Sequence, residues 1–300
     1  MKNRNFGIEI EMTGITKEKA ANAIAAAIGG PVLRTGFGGK YKVVTTDGRE
    51  WKIVNDGSIR AERKANGQTI YETSDYSVEV VSPILTYAND IEALQTIVRA
   101  LRKAGDHTND SCGIHVHVDG EGHTVATLKN WINLMASKGE LLYKALKVEL
   151  RRTSYCKLVD CRLVEAVQAK RPKTLKALED IWYARYGYEG RSEHYHESRY
   201  HILNLHSFFH GVGTVEIRGF NSTLHAGEIR SYVALTLAMD EQARTQKAMS
   251  SRKPQTDNEK FAMRTWLNRI GLIGDEYKAC REHLTKSLDG CAAWRHGRAA

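Results

Sequence analysis

Hydrophobic and acidic positions alternate strictly in FGIEIEM, a segment close to the N-terminus. Successive side chains of a β-strand point to opposite faces, so Ile8, Ile10 and Met12 should lie on one face and Glu9 and Glu11 on the other. The pattern therefore predicts a half-buried strand whose polar face carries two carboxylates.

Further strands are predicted where short apolar runs are bounded by turn residues. Asp47-Gly48 joins two of them and is typical of a hairpin turn, because both residues tolerate a positive φ. The other predicted strands are YSVEVVSPIL, ended by Pro83, then CGIHVHVD, and finally HILNLHSFF and GTVEIRGF, joined through Gly211 and Gly213.

Helical spacing of apolar residues occurs between these strands. Thr16 and the pair Gly29-Gly30 bound the first predicted helix, and Asn89, as N-cap, and Gly105 bound the second. The remaining predicted helices cover 124–146, most of the basic stretch through Tyr186, 226–246 and a C-terminal tail over 258–288.

Strands and helices do not alternate regularly, which favours an α+β fold with a mainly antiparallel or mixed sheet over a doubly wound parallel one. We expect one domain over 1–246 with a basic helical insertion at about 140–190. The polar, proline-containing stretch 247–257 reads as a linker, and 258–300 as a helical C-terminal extension.

The composition, with 42% hydrophobic and 26% charged residues, is that of a globular protein. No apolar run approaches the roughly 20 residues needed to cross a bilayer, and no signal-peptide core follows the N-terminus. The five cysteines are irregularly spaced, as expected for free thiols. We therefore expect a cytoplasmic protein.

The formal net charge of +9 makes an anionic partner plausible. Positive charge is concentrated in the basic segment, residues 147–176, which carries nine lysines and arginines against three acids. Two interpretations stay open: a solvated helical face, or a docking surface for an anionic substrate, such as one attached to an anionic polymer.

Three predicted strands share an unusual pattern, in which two charged or coordinating side chains stand at positions i and i+2. If these faces converge with the strand that carries Glu79, four carboxylates meet, and partly buried carboxylates need compensating charge. Two Mg²⁺ or Mn²⁺ ions would supply it, since hard cations prefer oxygen ligands with an occasional imidazole. The three pairs are Glu9/Glu11, His115/His117 and Glu216/Arg218.

The order of these motifs, from EIE through VEVVSP, SCGIHVHVD and SRYHILNL to GTVEIRGFNST, resembles the catalytic half of the glutamine synthetase and glutamate–cysteine ligase superfamily. The closer similarity is to the amidoligase family, carboxylate–amine ligases common in bacterial and phage genomes. The resemblance covers residues 6–245 and implies a glutamine-synthetase-like sheet that cradles two or three divalent metals between ATP and an acidic substrate.

The resemblance also implies metal ligands. Glu9 and Glu11 would bind different metals, and Glu79 would help to hold the metal nearer the acyl substrate. His115 and Glu216 would hold the metal between the ATP phosphates. Only one glutamate stands on the second acidic strand, where glutamine synthetases use two, so the resemblance leaves the number of metals open.

Contacts to ATP and substrate follow from the same resemblance. His117 would contact a phosphate and Arg218 the γ-phosphate, while Arg199 resembles the catalytic arginine that precedes the last strand. The NDGSI turn implies a substrate role for Asp56 and Ser58, although it follows the first acidic strand here and precedes it in glutamine synthetases.

The function expected is therefore ATP-dependent amide or peptide-like bond formation through an acyl phosphate. Two alternatives remain: a metal-dependent hydrolase that uses the same carboxylates, and a basic nucleic-acid-binding protein that keeps the fold. Acidic residues on the strands argue against the second, because nucleic-acid-binding sheets present basic and aromatic ones. The carboxylate, the amine and the oligomeric state stay open.

Overall fold

The computed structural model describes residues 1–36, 39–186 and 190–295. The chain forms two compact units. The first unit contains residues 2–116 and 220–233, and the second contains residue 1, residues 117–219 and residues 234–300. Antiparallel strand pairs combine with helices, so the fold belongs to the α+β class.

The strands of the described chain are β1 Asn5–Met12, β2 Val32–Thr35, β3 Lys40–Val44, β4 Glu50–Val54, β5 Glu62–Ala65, β6 Gln68–Tyr71, β7 Val78–Val81, β8 Leu85–Thr86, β9 Gly113–Asp119, β10 Leu203–Asn204 and β11 Thr214–Asn221. The strands predicted from the sequence occur in the described chain, except that HILNLHSFF is not one strand, and β2, β5, β6 and β8 were not predicted.

The helices include every one that the sequence predicted. They are α1 Lys17–Ile28, α2 Tyr87–Ala104, α3 Val125–Leu146, α4 Cys161–Lys170, α5 Leu175–Tyr183, α6 His206–Phe209, α7 Ala226–Thr245, α8 Glu259–Arg269 and α9 Lys278–Thr285. Short 3-10 helices cover Ser74–Tyr76, Leu150–Ser154, Glu197–Arg199 and Asp275–Tyr277.

The first unit is built around β1. This strand pairs antiparallel with β7 and, at its start, with β8, and the order continues from β7 through β4 and β3 to β2. The hairpin predicted at Asp47-Gly48 joins β3 to β4. The strands β5 and β6 form a separate two-stranded sheet.

The alternation in β1 places its residues as predicted. Ile8, Ile10 and Met12 are at most 1% exposed, whereas Glu9 keeps part of its surface accessible. Burying three such side chains stabilises the unit by several kcal/mol, at roughly 1.5–3 kcal/mol each. The strand register is thereby fixed, because a shift by one residue would move these apolar side chains to the face that carries the glutamates.

Helix α1 begins and ends where the sequence predicted, since Thr16 caps it and the backbone turns at Gly29. The N-cap predicted for α2 was wrong. The helix begins at Tyr87 after Thr86, two residues before Asn89, because the Asp90 carboxylate accepts the Thr86 backbone N–H at 2.7 Å.

The second unit contains α3, α4, α5, α8 and α9 together with β10, which pairs antiparallel with β11. The segment HILNLHSFF is not one strand: β10 has two residues, and α6 begins at His206. The Asn204 side-chain oxygen accepts the Ser207 backbone N–H at 3.3 Å, so a local turn replaces the strand ladder.

The C-terminal part of the chain contains α8 and α9, while residues 247–257 form neither helix nor strand. The division into a domain, a linker and an extension stays a prediction. Within the ranges described, the helices are all too short or too polar to span a bilayer.

Candidate active site

An acidic cluster lies within the first unit. It consists of Glu9 and Glu11 on β1, Glu79 on β7, His115 on β9 and Asp56 after β4. The strand pairing sets it up, because Glu11 stands directly opposite Glu79 in the β1–β7 register.

Two overlapping groups of ligand atoms occur in the acidic cluster. One oxygen or nitrogen each of Glu9, Glu79 and His115 lie within 4.8 Å of one another, and so do oxygens of Glu11, Asp56 and Glu79. Glu79 belongs to both groups. Separations of this size allow three side chains to reach a common ion.

His115 lies between the two glutamates of β1. Its Nδ1 is 2.8 Å from Glu9 Oε2 and its Nε2 is 3.6 Å from Glu11 Oε1. Glu11 also accepts the Gly113 backbone N–H at 2.6 Å. His115 and Glu11 are each 4% exposed, so this side of the acidic cluster is held rigidly inside the unit.

Asp56 belongs to the acidic cluster, where the sequence had predicted a substrate contact for it. Its backbone N–H donates to the Ser77 hydroxyl at 3.2 Å, which fixes the turn. Its carboxylate accepts the Ser58 backbone N–H at 2.6 Å, and Ser58 itself is exposed. The substrate roles of both residues stay predictions.

A second group, the arginine cluster, lies within the second unit. Arg218 Nη1 donates to Glu216 Oε1 at 2.5 Å, and Asn204 donates to the other carboxylate oxygen at 2.6 Å. His117 accompanies them, with Nε2 at 3.9 Å from Glu216 Oε1 and Nδ1 at 2.9 Å from the Thr214 hydroxyl. Glu216 is 3% and Arg218 is 7% exposed.

Arg152 contacts the backbone of the arginine cluster. Its guanidinium donates to the Arg218 backbone carbonyl at 2.8 Å, and the residue is buried. Arg152 belongs to the basic segment, so a docking surface formed by that segment cannot include it. Arg162 pairs with Asp160, and Lys176 with Glu179 and Asp180. The other basic residues of the segment, all exposed, are Lys147, Arg151, Lys157, Lys170, Arg171 and Lys173.

Arg199, the other predicted catalytic arginine, lies in a 3-10 helix of the second unit. Its guanidinium donates to the His194 carbonyl at 2.9 Å and lies 5.2 Å from the Tyr195 ring centroid. These contacts fix its side chain, and its role in ATP binding stays a prediction.

Sequence reasoning missed Asn204 and gave Asp56 a different role, that of a substrate contact. Asn204 fell inside a predicted strand, and nothing in its position along the chain indicates that it holds Glu216. Asp56 was noticed through its turn motif, but its approach to Glu11 and Glu79 depends on long-range pairing of β4 with β7.

The chain is similar to a known protein family. A family model described as "Putative amidoligase enzyme" matches residues 2–240, which include the members of both clusters. No curated protein matches the chain. The family match covers well over half of the sequence, and the chain therefore belongs to the amidoligase family.

Proposed function

We propose that the protein is an ATP-dependent carboxylate–amine ligase that joins its substrates through an acyl phosphate. The observation that carries the proposal is the acidic cluster, because its two overlapping groups of three ligand atoms, each within 4.8 Å, are donor sets for hard divalent cations. Family membership supplies the reaction class, amide-forming ligation.

The residues of the acidic cluster fit Mg²⁺ or Mn²⁺. Glu9, Glu79 and His115 would hold one ion, and Glu11, Asp56 and Glu79 a second, with Glu79 shared. A bound divalent cation neutralises phosphate charge and polarises the transferring phosphoryl group. The Gly113 N–H and the His115 ring keep the carboxylates oriented for this task.

The arginine cluster suits the phosphoryl group itself. Arg218 is permanently charged, and its planar guanidinium matches the oxygens of a phosphate. Glu216 holds one of its nitrogens, while Asn204 fixes Glu216, so the guanidinium is preorganised for charge that develops in the transition state. His117 would add a contact to a phosphate oxygen.

The proposed reaction has two steps. A substrate carboxylate oxygen attacks the γ-phosphorus of ATP, the bond to the β-phosphate oxygen breaks, and ADP leaves. The amine nitrogen then attacks the acyl carbon of the acyl phosphate, and inorganic phosphate leaves with the former carboxylate oxygen. Phosphorylation is needed because a free carboxylate would have to expel oxide or hydroxide. No side chain acts as a covalent nucleophile in this scheme.

The proposal extends to the fold and the partners. We infer a glutamine-synthetase-like arrangement from the order of the motifs on the strands. Arg199 would contact ATP, and Asp56 and Ser58 would lie near the acyl substrate. The exposed part of the basic segment, including Lys170 and Lys173, would attract an anionic substrate body through long-range charge.

A product screen tests the function. The protein is incubated with ATP, Mg²⁺ and pooled amino acids, polyamines and cell-wall fragments, and the mixture is analysed for phosphate release and by mass spectrometry. We expect ADP, phosphate and one new amide in equal amounts. Release of phosphate without a condensed product would favour a metal-dependent hydrolase instead.

A further inference from the structure

A cavity of about 270 Å³ lies within the second unit, between α4 and α5. Its walls are mainly apolar and include Val159, Leu163, Ala166 and Ile181. A cavity of about 150 Å³ with apolar walls already holds benzene. This one is therefore large enough for a fused pair of aromatic rings.

Trp182 lines the cavity and carries an unsatisfied hydrogen-bond donor. The residue is 4% exposed, and its indole N–H meets no acceptor among the residues that the structure describes. Buried donors are paired in the great majority of cases, and leaving one unpaired destabilises a protein. The Trp182 ring forms part of the cavity wall, where its signals report on a molecule bound there.

His201 and Tyr186 form a fixed part of the wall. His201 Nδ1 is 3.1 Å from the Leu158 carbonyl, which can only accept, so Nδ1 carries the proton. Nε2 therefore accepts the hydrogen of the Tyr186 hydroxyl, at 2.6 Å. Burial lowers the pKa of His201, which keeps the ring neutral. The wall is preorganised, which reduces the entropic cost of binding.

The rim of the cavity carries net positive charge. Asp160 is bonded by both Arg162, at 3.0 Å, and Arg185. Two cations against one carboxylate leave a formal charge of +1. The Arg185 guanidinium also lies 5.1 Å from the Tyr186 ring centroid, and both residues line the cavity. The rim thus complements a single negative charge.

We propose that this cavity is a binding site for a small aromatic monocarboxylate with a fused-ring body. Apolar walls take the rings, and the rim arginines favour the anion over its neutral isostere. The site is separate from the ligase reaction proposed above and does not depend on it.

A titration of the ¹⁵N- and ¹³C-labelled protein with 2-naphthoate, followed by NMR, tests whether the cavity binds this probe. Five tryptophans give five indole N–H peaks, which triple-resonance spectra assign. We expect the Trp182 peak to shift with a Kd on the order of 1 mM or tighter, as a ligand of this size allows, while the Trp51 and Trp131 peaks stay in place.

Two comparisons sharpen the test. Ala166→Leu should fill part of the cavity and weaken naphthoate binding at least several-fold, with the other indole peaks unchanged. Arg185→Gln should weaken naphthoate but leave the neutral 2-naphthamide unaffected. An unmoved Trp182 peak, equal shifts of all five peaks, or undiminished binding by a folded Ala166→Leu protein would overturn the proposal.

Discussion

The acidic cluster and the arginine cluster handle negative charge in opposite ways. The acidic cluster assembles four carboxylates around one imidazole, and none of its members is permanently positive. In the arginine cluster the one carboxylate, Glu216, is bonded by Arg218 and Asn204. The acidic cluster therefore has the donor set that we propose for a cation site, whereas the arginine cluster contains its own cation, Arg218.

The arginine cluster should depend on the buried arginine beneath it, and this is the largest effect we expect. Arg152→Glu would place a buried carboxylate at this position and remove the donor to the Arg218 carbonyl. Breaking a buried charged contact costs about 3–5 kcal/mol. The exposed neighbour gives a matched control, since Arg151→Glu should change the free energy of unfolding by no more than about 0.5 kcal/mol.

Urea unfolding followed by circular dichroism measures both variants. Equal stability of the Arg152→Glu and Arg151→Glu proteins would show that the arginine cluster does not rest on this contact.

Loss of the Arg218 side chain should lower kcat more than it lowers the affinity for ATP. Arg218→Ala should lower kcat by roughly 10²–10³-fold, as loss of a transition-state donor does, with a modest change in ATP affinity. Arg218→Lys keeps the charge but loses the planar fork, and should recover part of the rate. Single-turnover ADP formation reads the chemical step, and a weakened ATP affinity at normal kcat would argue for a binding role instead.

The acidic cluster should respond to loss of one charge by losing metal affinity. Glu11→Gln should weaken Mn²⁺ binding on the order of 10-fold or more, because even residues behind a metal's direct ligands contribute that much. Glu18, exposed on α1, provides the control variant Glu18→Gln. Titration calorimetry compares the three proteins, and identical Mn²⁺ affinities would remove Glu11 from the metal site.

The features that could be predicted from the sequence are those set by neighbouring residues along the chain. Alternation in β1 and β9 placed the glutamates and histidines on their faces, and the glycine stops of α1 and α2 fixed where those helices end. The boundaries that the sequence did not predict depend on contacts made by individual side chains. The Asp90 carboxylate moved the start of α2, and the Asn204 side chain ended β10 after two residues.

Depth of burial explains a further difference that sequence could not reveal. Arg151 and Arg152 are neighbours of the same type, yet one is exposed and the other is buried under β11. The 3-10 geometry of Leu150–Ser154 turns the two side chains apart. A charge count over the basic segment treats them alike, so it overstates the surface available to a substrate.

A smaller effect concerns a carboxylate outside both clusters. Asp106 is buried in the first unit, and neither carboxylate oxygen has a hydrogen-bond partner among the residues described. Burial raises its pKa well above the ordinary 3.8. The folded protein therefore holds a proton that the unfolded chain releases, and stability falls as the pH rises above about 4.

Asp106→Asn should remove the loss of stability that the parent protein shows as the pH rises. We expect a higher Tm than the parent at pH 7 and a difference that shrinks as the pH approaches 4, measured by differential scanning calorimetry. A variant that is less stable than the parent at pH 7 would contradict the assignment of a neutral carboxyl.

The proposed function, ATP-dependent ligation through an acyl phosphate, is tested most directly by following oxygen. Once the screen identifies a substrate pair, the carboxylate is labelled with ¹⁸O and the phosphate released during ligation is analysed by mass spectrometry. An acyl phosphate requires one ¹⁸O in each phosphate, together with ADP. Unlabelled phosphate beside the amide product, or AMP and pyrophosphate in place of ADP, would contradict the account.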